Sequence, residues 1–68
     1  MPWYSFEALW PDGKSSDAGA SCLSDHAMAR RYSRFIIGEL KHRPGYDDPE
    51  IKMIVKDGDG DVIHTITF

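Results

Sequence analysis

Cysteine is nearly missing from this chain, and so is any long apolar run. Cys22 is the single cysteine, so no internal disulfide can staple the fold, and an unpaired thiol suits a reducing cytoplasm. No stretch approaches the ~20 consecutive apolar residues that cross a bilayer as a helix, and the N-terminus lacks the basic-then-apolar order of a secretory signal. These absences predict a soluble, cytoplasmic protein with no membrane partner. An excess of positive charge is lacking too. Eleven acidic residues face eight basic ones, for a net charge of −3, which opposes nonspecific attraction to nucleic acid or anionic lipid. There is no internal repeat or low-complexity tract, and residues 1–68 read as one domain. A domain this small buries only ~60% of the surface its unfolded chain exposes, so its stability is marginal unless a metal or a partner chain contributes.

What is present is a strong alternation. MPWYSFEALW places Tyr4, Phe6, Ala8 and Trp10 on one face and Trp3, Ser5, Glu7 and Leu9 on the other, the period of a strand whose first set faces a core. PDGKSSDAGA, rich in turn formers, reads as a loop, with a short strand over 19–23 folding back on the first. SDHAMARRYSRFIIGELKHRPG is a helix pattern: Ser24 is placed to cap it, Asp25 to complement its positive end, and Met28, Tyr32, Phe35, Ile36 and Leu40 recur at spacings of three and four as its core stripe. Pro44 and Gly45 predict its end near His42. EIKMIVKD and DVIHTITF alternate again, Ile51, Met53 and Val55 against Lys52, Ile54 and Lys56, then Val62, His64, Ile66 and Phe68 against Ile63, Thr65 and Thr67. Joined by a Gly- and Asp-rich turn, they predict a hairpin.

The expected fold is therefore α+β, an antiparallel sheet of three or four strands on one long helix, in the order β-(β)-α-β-β. One helix covers one sheet face and leaves the other bare. That bare face would carry Trp3, Leu9, Ile54 and Ile63, more apolar surface than solvent requires, and such a surface often marks an interface. The sequence thus points to a non-catalytic interaction module that forms a homo-oligomer or binds a protein partner through these residues.

The chemical candidates are weaker. DGDGD supplies acidic residues at the first, third and fifth positions of a calcium loop, but Val62 and Phe68 stand where such a loop needs Gly and Glu. A turn explains the same residues, because Gly58 and Gly60 permit positive φ and aspartates bond the local backbone. Cys22, His26, His42 and His64 do not fall at metal-ligand spacings, and no third group orients Cys22 and a histidine as nucleophile and base. Asp47, Asp48 and Glu50 read as solvated loop acids. A chain of this length has little room for the pocket of roughly 300 Å³ or more that small-molecule sites use. No catalytic residue, metal site or cofactor is expected. The competing reading is nucleic-acid binding through a basic helix side made of Arg30, Arg31, Arg34 and Lys41, since arginine suits phosphate contacts.

Along most of its length the chain resembles a family of short bacterial proteins catalogued only as a domain of unknown function. The likeness rests on Tyr4 and Phe6, on Asp17, Gly19 and Leu23, on Ala27, and on Val55, Asp57, Gly60, Ile66 and Phe68. It departs at Ala18 and Ala20, where polar residues are expected, and in the longer linker HRPGYDDPE. The resemblance implies strands around one helix in a bacterial cytoplasm and implies no activity. A looser likeness is to HicB-type antitoxins, which also begin with an aromatic strand and carry a Gly-containing loop before an Ala-rich helix. The DNA-binding extension of that family has no counterpart here.

Overall fold

The computed structural model describes residues 2–68. In chain order it forms β1 (Trp3–Leu9), β2 (Ser15–Cys22), α1 (His26–Leu40), β3 (Lys52–Lys56) and β4 (Val62–Thr67). The strands make one four-stranded sheet in the order β2-β1-β3-β4, and each neighbouring pair is antiparallel. With α1 packed on one face, the fold is α+β. β2 and β3 both oppose β1 and so run the same way, which requires a long return connection between them. The helix is that return.

β1 sits inside the sheet, between β2 and β3, and its alternation buries one face: Tyr4, Phe6 and Ala8 are each at most 2% exposed. They meet Ile51, Met53 and Val55 from the β3 side, all fully buried. β2 is longer than its composition predicts, reaching from Ser15 where only a short strand over 19–23 was expected. Small, weakly β-forming residues are held there by pairing with β1. A bulge accommodates the mismatch: Phe6 opposes Gly19 and Glu7 opposes Asp17, which leaves Ala18 over. Gly19 adopts φ +117°, a conformation that disfavours side chains, and its N–H donates to Asp17 Oδ1 at 2.9 Å.

Three expectations about side-chain placement are corrected. The buried stripe of α1 is Ala29, Ser33, Ile36, Ile37 and Leu40, whereas Met28, Tyr32 and Phe35 are 39%, 37% and 60% exposed. The helix is thus turned by about one residue, ~100°, from the predicted orientation. Ala29 and Ser33 let it approach a sheet already filled by Tyr4 and Phe6, and the Ser33 hydroxyl is satisfied by donating to the Arg30 carbonyl at 2.6 Å. The helix is capped by Asp25 instead of Ser24, its Oδ1 accepting from Met28 N at 2.9 Å. In β4, a second bulge interrupts the alternation. His64 opposes Val55 and Val62 opposes Lys56, so Ile63 is the extra residue. It packs against the core, and Val62 is left 57% exposed.

The linker after α1 is tied down by aromatic side chains. Trp10 Nε1 donates to the Gly45 carbonyl at 3.1 Å, its ring lies 5.1 Å from Tyr46, and Tyr46 stacks on Phe68 at 6.3 Å. The DGDGD stretch closes the β3–β4 hairpin. Asp57 N donates to the Asp61 carbonyl at 2.9 Å, and Asp57 Oδ1 accepts from Asp59 N and Asp61 N, each at 3.0 Å. With φ +86° at Gly60, this carboxylate is committed to the turn.

Candidate functional site

The sheet face away from α1 is ordered by strand register into rows. Trp3 pairs with Cys22; Ser5 lies between Ala20 and Lys56, and Val62 completes that row. Glu7 lies between Asp17 and Ile54, followed by Thr65, and Leu9 lies between Ser15 and Lys52, followed by Thr67. Trp3, Leu9 and Ile54 are therefore on this face as expected, and Ile63 is not. The β4 bulge removes Ile63 from the surface and puts Val62 in its place. Trp3 is 58% exposed, while Leu9 and Ile54 are half-buried. Lys52 and Lys56 flank Ile54 along β3, so the face mixes apolar and charged groups.

At one end of this face the Leu9–Lys52–Thr67 row opens into a groove of about 560 Å³ walled by Trp10, Pro11 and Pro49. It is larger than the chain length suggested. Its walls come from the segments after β1 and before β3, and its charges are Glu50 and Lys52 alone. The flank of α1 that carries Met28, Tyr32 and Phe35 is a second apolar surface. Tyr32 meets Phe6 edge-on at 5.4 Å and stacks on Phe35 at 6.0 Å.

The four basic residues of the helix do not form one stripe. Arg30, Arg31 and Arg34 line a concavity of about 380 Å³ with Ala27 and His64, whereas Lys41 borders a different depression with Tyr46, Asp47 and Asp48. The eleven-residue separation of Arg30 and Lys41 spans about 16 Å of helix, and the chain bends away after Leu40. His64 belongs to the arginine cleft because the β4 register turns it toward α1. Burial, then the Arg30 and Arg34 charges, hold its imidazole below the ordinary histidine pKa. The alternation of β4 puts His64 on the face toward the helix, but no local signal says which helix residues lie opposite it.

The remaining titratable candidates are dispersed. Cys22 is a half-buried free thiol beside Trp3 on the open face, whereas the His26 ring packs edge-on against Tyr4 at 5.7 Å, on the core side. Burial, with Asp25 and Asp57 adding to it, pushes the Tyr4 phenol above its usual pKa. Asp48 Oδ1 accepts from Glu50 N at 2.8 Å, which places that acid in a local turn. Among the described residues no group of three or more His, Cys, Asp or Glu side chains converges as metal ligands, and no helix is long and apolar enough to cross a membrane.

Comparison with known proteins adds no relative: no family model, curated protein or solved structure matches the chain.

Proposed function

We propose that this chain is a non-catalytic protein-interaction module that self-associates or receives a partner on its open sheet face. The observation that carries the reading is the exposure of Trp3 and Val62, 58% and 57%, in neighbouring rows at the β3–β4 turn end of a face whose middle holds Ile54. A core this small gains from covering such groups, each worth on the order of 1.5–3 kcal/mol when fully buried. Lys52, Lys56 and Glu7 among them match the mixed polarity of interfaces between proteins that also exist apart. The exposed Met28, Tyr32 and Phe35 flank adds a further apolar surface on the other side of the molecule.

Sedimentation of the purified chain across a wide concentration range tests the proposal. Association that grows with concentration and is lost in Ile54→Lys supports it, because that change adds a charge to the middle of the face without touching the core. A strictly monomeric species at high concentration, with a Trp3 indole resonance that does not move on dilution, refutes self-association.

A further inference from the structure

Arginine in a small acidic protein is expected to sit beside a carboxylate. Acidic residues outnumber basic ones by eleven to eight, yet among the described residues the ion pair within 4.0 Å is Lys14–Asp12, and Arg30, Arg31 and Arg34 have no such partner. They gather in the concavity of about 380 Å³ whose remaining walls are Ala27 and His64. Arg30 and Arg34 are separated by four residues on one helix, a spacing at which like charges repel by a few tenths of a kcal/mol. From β4, His64 faces them without a hydrogen-bonded side-chain partner, and the strand residue opposite it, Val55, is apolar. The lining thus offers guanidinium and imidazole N–H donors and no carboxylate. Ala27 lies in the first turn of α1, so the positive end of the helix adds to the same field.

A cleft with several donors, no carboxylate and uncompensated positive charge is complementary to a compact oxyanion. We infer that the cleft between α1 and β4 binds a phosphate dianion, as inorganic phosphate or as a phosphate monoester, through Arg30, Arg34 and His64. Guanidinium forks fit two oxygens of one phosphate, and the neutral imidazole donates to a third. A nucleic-acid backbone is the poorer match. Tracking it needs charge spread along the helix, but Lys41 lies apart, beside Asp47 and Asp48. A polyanion also meets the whole molecule's charge of −3, whereas a single phosphate feels chiefly the groups within a screening length of about 8 Å. The cleft and the open face lie on opposite sides of the sheet, so this site goes beyond partner docking and stands or falls separately.

The test follows the His64 ring protons by NMR while inorganic phosphate, O-phosphoserine or sodium chloride is added at matched ionic strength. Saturable shifts with phosphate or O-phosphoserine, absent with chloride, are expected, together with a His64 titration displaced to higher pH when the anion is bound. Tighter binding of O-phosphoserine identifies a phosphorylated side chain as the source, and tighter binding of inorganic phosphate identifies the free ion. Exposed Arg30 and Arg34 permit the double variant R30Q/R34Q, which should bind on the order of tenfold to a hundredfold more weakly, the worth of charged hydrogen bonds. R34K keeps the charge without the fork and should fall between. Shifts that chloride reproduces, or that persist in a folded R30Q/R34Q, overturn the proposal. So does a duplex oligonucleotide that binds while inorganic phosphate leaves His64 unmoved.

Discussion

Asp25 and Ser24 are both residues that cap helices well, and backbone geometry decides between them. Asp25 is extended, at φ −160° and ψ −179°, and its carbonyl already accepts the first helical bond, from Ala29 N at 3.1 Å. Asp25→Ala should therefore lower stability by about 1 kcal/mol, and Ser24→Ala by less than about 0.5 kcal/mol, measured by urea unfolding. His64 supplies a pH prediction of defined sign. Its folded pKa lies below the ordinary histidine value, so the unfolded chain takes up the proton first as pH falls. Stability should be intact above the ordinary value of about 6.5 and decline as pH drops through the folded pKa. His64→Gln should flatten that part of the urea midpoint–pH profile. Much at this scale was legible: Asp57 and Gly60 were readable as a turn because their chemistry is local. The choice of Asp25 over Ser24 was not, since both types fit and one residue of phase separates them.

At the scale of elements, the strands of the core were legible and the phase of the helix was not. Tyr4, Phe6 and Ala8, like Met53 and Val55, alternate with period two and have a single consistent burial pattern. In α1 the apolar residues cover too wide an arc, because Met28, Tyr32 and Phe35 continue the stripe of Ile36 and Leu40 on one side and Ala29, Ser33 and Ile37 on the other. Volume settles the matter, since small residues permit the closer approach. Ile37→Ala should then cost about 2–5 kcal/mol, while Phe35→Ser, on the 60% exposed side, should cost under about 1 kcal/mol. Thermal unfolding of the two variants compares them directly, and the opposite ranking would restore the predicted phase. The bulges at Ala18 and Ile63 were hidden for another reason. An inserted residue shows itself only against the partner strand, and it exchanged Ile63 for Val62 on the candidate surface.

For the whole molecule, Trp10 joins parts that are far apart in the chain. Its indole holds Gly45 and packs on Tyr46, and Tyr46 in turn stacks on Phe68. Trp10→Phe keeps an aromatic ring but removes the donor, so the linker over 41–50 should exchange its amides faster in hydrogen-exchange measurements. Core amides of β1 and β3 should stay protected, with a stability loss of about 0.5–1.5 kcal/mol. Faster exchange everywhere would mean that the clamp is integral to the fold. Strand order belongs to this scale as well. Alternation in MPWYSFEALW specified a strand but could not say that β3 would occupy its second edge. That placement has a consequence for biosynthesis. When the ribosome has released β1 and β2, they can meet as a local hairpin, but the far edge of β1 must wait for β3 to be translated beyond the whole helix. Until then Tyr4 and Phe6 lack most of their shelter, and the nascent chain passes through an interval in which a chaperone or another unfinished copy could bind them first.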